Sequence, residues 1–350
     1  MPRYRFCNDY SEGAHPRVLE LMSRTNLNQE EGYGNDSLSR QAEGLLKAAI
    51  ANPEAAVHFV SGGTQANLIV LASLLKPYES AIAATTGHIF VHEAGAIEAT
   101  GHKVNAVSTP DGKLTPSLVR QVVAEHTDEH WVKPSAVYIS NSTEMGTVYK
   151  RAELEGLAQT CQELNLLLFL DGARLGSALV STGSDLTLPD LGRLVDVFYV
   201  GGTKNGALLG EAIVINRPSL QPDFRYHIKQ RGGLLAKGSL LGAQFVALFN
   251  DGLYFELARH ANAMAQALAG GLKALGYDFA ADPVTNLIFP ILPNALVRHL
   301  EERYDFYVWR RMDGDRSAIR LVTSWATPVE KVNEFLDVVR DWRRPAGNSG

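Results

Sequence analysis

Apolar residues along the first two thirds of this 350-residue chain fall into two alternating patterns. Short continuous runs predict buried β-strands, whereas stretches with an apolar residue at every third or fourth position predict amphipathic helices. Because strands that alternate with helices build a mostly parallel sheet with helices on both faces, the pattern predicts an α/β fold. Six strands are expected on this basis, at residues 57–60, 81–84, 104–107, 136–140, 166–170 and 195–200.

A seventh strand is expected at residues 211–216. Too few residues separate it from the strand at 195–200 to hold a crossover helix, so it is expected to run antiparallel to its neighbour. The large sheet is therefore predicted to be seven-stranded and mostly parallel.

The pattern changes after about residue 250. A long helix is predicted over residues 254–275, and a last helix follows three short strands, which are expected near residues 286–289, 306–309 and 318–322. This mixture predicts a small α+β domain packed on the large one. We therefore divide the chain into a large domain, residues 1–250, and a small C-terminal domain, residues 251–350.

Composition and charge narrow the class of protein. Hydrophobic residues make up 45% of the chain and charged residues 20%, which is ordinary for a soluble enzyme. The formal net charge of -5 gives no electrostatic reason to expect a nucleic acid or an anionic membrane as a partner. The chain shows neither a secretion signal nor an apolar stretch of about 18 residues that could span a membrane. Cys7 and Cys161 have no metal-ligand or redox spacing, so we expect a cytoplasmic protein without a metal site.

Two of the predicted strands end in residues that carry chemistry. One leads into Asp171-Gly172-Ala173-Arg174, and another leads into a glycine-rich turn that contains Lys204. Pyridoxal phosphate requires such a pair, because a lysine bonds its aldehyde as an imine and a carboxylate keeps its pyridine nitrogen protonated. Alone, Asp171 could be a helix cap and Lys204 a solvated loop lysine. The presence of both residues makes a cofactor-binding role more plausible for each of them.

Residues 61–67, Ser-Gly-Gly-Thr-Gln-Ala-Asn, join a predicted strand to a predicted helix. The glycines let the backbone approach an anion, Thr64 can cap the helix, and free N–H groups attract phosphate. A plain glycine turn with a threonine cap is the alternative. The sequence is neither a Walker loop nor a GxGxxG motif, which argues against nucleotide binding.

Other candidate residues are two histidines, a glutamate and an arginine. His88 lies at the end of the next strand, where an imidazole could stack on the cofactor ring and Glu93 could contact its periphery; a structural histidine is the alternative. His92 is expected on the following helix, so we favour His88. Arg320 alternates with apolar residues in its strand and either faces solvent or binds a carboxylate.

These motifs together make the chain resemble the threonine aldolases, fold-type I pyridoxal-phosphate enzymes of the β-eliminating lyase group. The resemblance covers nearly the whole length. Its most specific motifs are Asp-Gly-Ala-Arg at 171–174 and Gly-Gly-Thr-Lys-Asn-Gly at 201–206, and the others lie at 8–11, 33–36, 63–67, 88–95 and 320–322. It implies the fold-type I transferase fold, with a seven-stranded sheet in the large domain and a small α+β domain.

The resemblance also implies roles for individual residues. Arg320 matches the ligand of the substrate carboxylate, with Arg174 and the N-terminal Ser11 near it. His130 matches a second histidine of the family site. The cofactor-binding residues implied in this way are Gly63 and Thr64 at the phosphate, His88 on the ring, Asp171 at the pyridine nitrogen, Arg174 near the 3′-oxygen, Lys204 at the aldehyde, and Lys229 and Lys237.

The role of Lys229 and Lys237 depends on how the subunits assemble. The resemblance implies a homotetramer built from dimers, with active sites at the subunit interface and basic residues of a neighbouring subunit close to the phosphate. Lys229, Arg231 and Lys237 lie in the matching region of this chain.

The activity implied is retro-aldol cleavage of a β-hydroxy-α-amino acid, of the L-threonine or L-allo-threonine type, to glycine and an aldehyde. The catalytic residues would be Lys204, Asp171, His88 and His130, and the base could be either histidine or a water that they hold. β-Elimination, racemisation or transamination on another amino acid is an alternative with the same cofactor. A binding protein that keeps the fold without turnover is a further alternative.

Overall fold

The computed structural model describes residues 3–343. The helices in chain order are α1 Pro16–Thr25, α2 Ser37–Ala49, α3 Gly63–Leu74, α4 His88–Val91, α5 Pro116–Glu125, α6 Arg151–Glu163, α7 Leu175–Leu179, α8 Leu188–Leu194, α9 Phe224–Gln230, α10 Ser239–Phe249, α11 Leu253–Ala274, α12 Asn294–Glu301 and α13 Val329–Arg343. Two short 3₁₀ helices lie at Glu98–Thr100 and Pro218–Leu220.

The strands form one large and two small sheets. In chain order they are β1 Tyr4–Arg5, β2 Ala56–Val60, β3 Glu79–Ala84, β4 Lys103–Val107, β5 Lys133–Ser140, β6 Leu167–Asp171, β7 Val197–Gly201, β8 Glu211–Ile215, β9 Leu287–Ile288, β10 Ile291–Pro293, β11 Tyr304–Asp305, β12 Tyr307–Arg311 and β13 Arg316–Val322.

The large sheet has seven strands in the order β2-β8-β7-β6-β5-β3-β4. Strand β8 pairs antiparallel with both β2 and β7, while the other pairs are parallel. The predicted α/β fold, the seven strands and the antiparallel direction of β8 are all confirmed. The same order places the carboxyl ends of β2, β3, β5, β6 and β7 at one edge of the sheet.

Helices cover both faces of this sheet, and the side chains of β7 show it directly. Phe198 and Val200 point into one hydrophobic core, whereas Val197 and Tyr199 point into the core on the other face. All four are buried. Burial on both faces explains why this strand has a continuous apolar sequence rather than an alternating one.

The C-terminal part contains the predicted mixture of strands and helices. The long helix is α11, and the three predicted strands correspond to β9, β12 and β13. The short strands β10 and β11 were not predicted, because two or three residues of strand carry almost no periodicity. Helix α12 was not predicted either, although Leu296, Val297 and Leu300 give it a buried apolar face. Strands β10 and β12 flank β13, and β9 pairs with the end of β13.

The N-terminal segment packs with the C-terminal part rather than with the large sheet. Strand β1 pairs in parallel with β11, and Phe6 lies in the same hydrophobic core as Tyr304 and Phe335. The division of the chain at residues 250 and 251 stays a prediction, and Phe6 indicates that residues near the N-terminus would belong to the smaller unit. Within residues 3–343, no helix combines the length and apolar character needed to cross a membrane.

Candidate active site

The predicted site residues meet at the carboxyl edge of the large sheet. Asp171 is the last residue of β6, and Lys204 lies in the turn that follows β7. His88 follows β3 as the first residue of α4, and the turn at 61–63 follows β2. In open α/β sheets, ligands bind at this edge because the connections leaving the strands surround it.

Asp171 is buried and accepts four hydrogen bonds. Its Oδ1 accepts from the Tyr199 hydroxyl at 2.5 Å and from the Ala173 N–H at 3.0 Å. Its Oδ2 accepts from the Tyr138 hydroxyl at 2.5 Å and from the Asn67 amide at 3.1 Å. Four donors stabilise a carboxylate rather than a neutral acid, because each contributes more to the charged form.

The ionisation of Asp171 follows from these contacts. Burial alone would raise its pKa, but the nearby His88 and the two phenol donors hold the pKa below its usual value. Burial and the Asp171 charge raise the pKa of Tyr138 and Tyr199 in turn, so both phenols stay protonated as donors. A permanent negative charge at this point matches the need of a protonated pyridine nitrogen.

Lys204 supplies the amine. Its Nζ lies 5.9 Å from the centre of the Tyr10 ring, and we find no hydrogen bond or ion pair to this nitrogen within residues 3–343. Burial lowers the pKa of Lys204, and the positive charge of Arg174 lowers it further, while Asp9 and Asp171 oppose the shift. A lower pKa raises the fraction of neutral amine, the form that attacks an aldehyde.

The sequence predicts that Thr64 could cap helix α3. In the structure the helix begins at Gly63, so Thr64 lies inside it. Gly62 is the N-cap in an extended conformation, no side chain caps the helix, and Thr64 is exposed in the first turn. The first helical hydrogen bond runs from Ala66 N–H to the Gly62 carbonyl at 3.0 Å. The N–H groups of residues 63–65 therefore have no acceptor within the helix and suit a phosphate.

His88 is held by a buried carboxylate. Its Nδ1 lies 2.7 Å from Oε1 of Glu93, and the same oxygen accepts from the Asn67 amide at 2.7 Å. The other oxygen of Glu93 is buried and has no partner in the described part of the chain, and burial raises the pKa of this carboxyl. The bond at Nδ1 fixes the ring and leaves Nε2 free. Asn67 connects this pair to Asp171.

His92 lies directly after α4, not on a following helix, and its ring centre is 5.5 Å from that of His88. Burial lowers the pKa of His92, and the charges of His88, Arg320, Lys204 and Arg174 add to the effect. A neutral second imidazole therefore stands beside the site.

Arg174 forms a bidentate ion pair that the sequence did not reveal. Its Nε lies 2.7 Å from Oδ2 of Asp9, and its Nη2 donates to Oδ1 at 3.0 Å. Asp9 is fully buried and also accepts from the Asn286 amide at 2.9 Å. Burial opposes ionisation of Asp9, but Arg174 and Lys204 hold its pKa below the usual value. Nη1 of Arg174 has no bond to Asp9 and remains available for a ligand.

Arg320 is the cation best placed to bind an incoming carboxylate. It lies on β13 opposite Tyr307, and its Nε is buried without a hydrogen-bond partner among residues 3–343. Burial lowers the pKa of Arg320, and the charge of Arg174 contributes. A buried guanidinium with an unused donor is costly unless an anion occupies the position, and a carboxylate fits its geometry.

His130 does not belong to this site within one chain, which corrects the expectation drawn from the resemblance. It precedes β5, whereas Ser140 at the other end of β5 stands in register with Asp171. An eight-residue strand spans about 25 Å, so His130 is at the opposite edge of the sheet. Its side chain is exposed, and its N–H donates to Asp128.

Three other predicted residues lie outside the central group. Ser11 is exposed and donates to Asn8 Oδ1 at 2.9 Å, next to Tyr10, which faces Lys204. Nζ of Lys229 lies 4.5 Å from the centre of the Tyr33 ring. Lys237 is exposed and lines a surface cavity of about 730 Å³. Neither lysine forms a hydrogen bond or ion pair with residues 63–65 in the part of the chain that the structure describes.

Sequence reasoning missed Glu144. Its Oε1 accepts from the His88 N–H and from the Ser140 hydroxyl, both at 2.9 Å. The residue closes the polar run Asn-Ser-Thr-Glu, 141–144, directly after a predicted strand. The same pattern, a polar residue directly after an apolar strand, points to Asp171, so the sequence carries a signal for Glu144 as well.

Glu211 was missed as well. It begins β8, is 4% exposed, and accepts from the Gly202 N–H at 3.0 Å. Burial raises the pKa of this carboxyl to about 7, although Thr203 and Lys204 oppose the rise. Only the pairing of β8 with β7 brings it under the lysine turn.

A sequence profile of the family described as Beta-eliminating lyase matches residues 9–294. The chain belongs to the β-eliminating lyase family. The matched range includes Asp171, Lys204, His88 and the Arg174–Asp9 pair. Arg320 lies beyond the end of the matched range.

Similar proteins agree with membership of this family. The low specificity L-threonine aldolase of Pseudomonas aeruginosa is 33% identical, covering 96% of this chain and 97% of that protein. The solved structure of Leishmania major threonine aldolase has a TM-score of 0.96 and 48% identity, covering 97% of this chain and 99% of that one. A Thermus thermophilus aspartate aminotransferase mutant, with a TM-score of 0.73 and 18% identity over 97% of this chain and 91% of its own, shares the fold.

Proposed function

We propose that this family member is a pyridoxal-phosphate-dependent L-threonine aldolase, a carbon–carbon lyase that cleaves L-threonine or L-allo-threonine to glycine and an aldehyde. The observation that carries the proposal is the arrangement of Lys204, Asp171 and Arg320. The lysine and the arginine both lie within electrostatic reach of the Arg174–Asp9 pair. The relatives named threonine aldolase support the substrate class.

The residues at the sheet edge fit the cofactor. Pyridoxal phosphate, when bound, supplies an aldehyde that bonds amines and a protonated ring that withdraws electrons from the bonded substrate. Lys204 would hold it through its amine, Asp171 would keep its ring nitrogen protonated, and His88 would cover its ring. The N–H groups of residues 63–65 would bind its phosphate.

Arg320 would hold the substrate carboxylate and so orient the bond that breaks. A bidentate arginine fixes a carboxylate in position and in plane, which a lysine cannot do. Arg174 would add its remaining Nη1, while Asp9 prevents it from turning away. Ser11, in the N-terminal segment, would lie near the substrate carboxylate as well.

We also propose that the protein is a homotetramer with active sites shared between subunits. Lys229 and Lys237 support this proposal because neither forms a hydrogen bond or ion pair with residues 63–65 of its own chain, within residues 3–343. A neighbouring subunit would bring them to the phosphate. The two buried free thiols, Cys7 and Cys161, favour a reducing compartment such as the cytoplasm.

The test of the activity is a product assay on purified protein loaded with pyridoxal phosphate. L-Threonine should yield glycine and acetaldehyde in equal amounts, and Lys204→Ala should abolish both. Release of 2-oxobutyrate would instead indicate β-elimination, and formation of D-threonine would indicate racemisation. Either of these as the main product would overturn the aldolase proposal.

A further inference from the structure

Glu144 contacts the backbone of His88 in the site and has no role in the residues described so far. The loop 141–144 leaves the carboxyl end of β5, the strand that neighbours β6 and its terminal Asp171. Two donors hold its Oε1, the His88 N–H and the Ser140 hydroxyl. We find no hydrogen bond to Oε2 within residues 3–343, and the residue is half-buried. One oxygen is therefore fixed and the other is free to receive a proton.

The other acid–base groups of the site differ from Glu144 in their contacts or their position, and the free Nε2 of His88 belongs to the ring proposed to cover the cofactor. Nδ1 of His88 is bonded to Glu93, whose own Oε1 also accepts from Asn67. Both oxygens of Asp171 are occupied by donors. His92 is exposed beside the site, and His130 lies at the opposite edge of the sheet. Oε2 of Glu93 also has no partner among the described residues, but it is buried, whereas Glu144 is half-buried and has an open Oε2.

We propose that Glu144 is the base that removes the proton from the β-hydroxyl of the amino acid substrate, an inference that rests on the proposed aldolase function. The O–H bond of the substrate breaks and its proton goes to Oε2. The electron pair left on oxygen forms the carbonyl of the aldehyde as the Cα–Cβ bond breaks. Pyridoxal phosphate, when bound, would supply the group that accepts the electron pair of that bond. One proton taken up later at Cα gives glycine and balances the proton that Glu144 returns to solvent.

The surroundings of Glu144 suit this role. Burial raises the pKa of Glu144, and the negative charge of Asp171 raises it further, while its own backbone N–H, Ser140 and His88 oppose the shift. A carboxylate whose pKa lies closer to neutral is a stronger base than an ordinary one and is still ionised above that pKa. The ionisable groups that act on it are Asp171 on β6, His88 on α4, Arg174 after β6, Tyr138 on β5 and Tyr149 before α6.

The test compares two reactions of the loaded enzyme and of Glu144→Gln. Cleavage of L-threonine needs a base for the β-hydroxyl, whereas exchange of the glycine α-hydrogen with D₂O does not, because glycine has no hydroxyl. We expect Glu144→Gln to cleave threonine about 100-fold or more slowly. Glycine exchange, followed by NMR, and glycine binding, followed by cofactor absorbance, should stay within about twofold of the parent values. The parent kcat/KM should rise with pH through the pKa of Glu144, and this rise should be missing in the variant.

Glu79→Gln is the matched control. Glu79 is buried at the start of β3, at the other edge of the sheet, and accepts from the Lys76 N–H. Both reactions should be unchanged in this variant. Threonine cleavage at the parent rate in Glu144→Gln would overturn the assignment, and so would an equal loss of cleavage, exchange and glycine binding, which would indicate a structural residue. If the parent releases no glycine from L-threonine, the proposed function itself fails, and the assignment fails with it.

Discussion

At the scale of single residues, buried charges dominate this site. Asp171 remains ionised because four donors surround its two oxygens, and Asp9 remains ionised because Arg174 binds it on two sides. Burial would otherwise favour the neutral acids. Lys204 lies between these charges and depends on both of them.

The first prediction concerns Asp171→Asn. An amide cannot stabilise a pyridinium charge, so we expect turnover to fall by about 100-fold or more while the cofactor stays bound. Steady-state assays and the absorbance of the bound cofactor measure the two effects. Asp128→Asn, a neutralisation in an exposed loop, is the control. Near-normal turnover in Asp171→Asn would remove this carboxylate from the mechanism.

The second prediction concerns Glu211 and stability. Its pKa is about 7 in the folded protein and near 4.5 in an unfolded chain, so its stabilising contribution is complete below pH 4.5 and disappears as the pH rises through 7. Glutamine does not ionise. The free energy of unfolding of Glu211→Gln should therefore rise relative to the parent between pH 5 and pH 8, by up to about 3 kcal/mol.

Chemical denaturation of the cofactor-free protein at several pH values measures this difference. Glu20→Gln, on the exposed side of α1, controls for the loss of one negative charge. A difference between Glu211→Gln and the parent that does not change from pH 5 to pH 8 would contradict the assigned role of burial.

At the scale of elements, the close contact of β6 and β7 positions the carboxylate relative to the lysine. A Cβ at Gly172, directly after β6, would lie 1.8 Å from the backbone oxygen of Tyr199 on β7. The neighbouring N–H of Gly201 donates to the Gly172 carbonyl at 3.0 Å. A glycine at this position lets the two strand ends approach, and Asp171 meets its Tyr199 donor as a result.

The third prediction follows from this contact. Gly172→Ala should force the strand ends apart and destabilise the protein by about 3 kcal/mol, with weaker cofactor binding. Gly270→Ala is the control, because nothing lies within 4 Å of a Cβ there and the residue is inside α11. Alanine in a helix should be neutral or should stabilise by up to about 1 kcal/mol. Thermal unfolding that ranks the two variants in the reverse order would contradict the prediction.

At the scale of the whole molecule, the N-terminal segment around Phe6 packs against β13 and α13 near the C-terminal end of the described chain. Phe6 packs against Phe335, and its carbonyl accepts from the Val322 N–H at 2.9 Å. Asp9 follows this anchor and reaches Arg174 in the large sheet region. The N-terminal segment thus connects the small core to the active site, and the position of Arg320 relative to Lys204 depends on it.

The fourth prediction tests whether subunits share their sites. Lys204→Ala and a variant with residues 229, 231 and 237 neutralised should each be inactive, since one lacks the amine and the other lacks the partner cations. Mixed and exchanged, they should regain part of the activity at hybrid sites, and sedimentation should show a dimer or tetramer. A fully active monomer, or no recovery after proven subunit exchange, would contradict the shared site.

The amino-acid sequence by itself determined the large sheet and its chemistry at the strand ends. Continuous apolar runs become strands that are buried on both faces, and this property depends on local sequence alone. Asp171, Lys204, His88 and the glycine turn at residues 61–63 all follow such runs. Parallel strands place their carboxyl ends at one edge, so these residues could be brought together without a structure.

Tertiary structure decided the contacts between residues far apart in sequence. Asp9 and Arg174 are 165 positions apart, and no local pattern joins them. Tyr138 and Tyr199 looked like ordinary strand residues until strand order placed both beside Asp171. His130 resembled a site residue, but the direction of β5 carries it to the other edge. Such partners are chosen by the packing of whole elements, and packing depends on contacts that sequence periodicity does not contain.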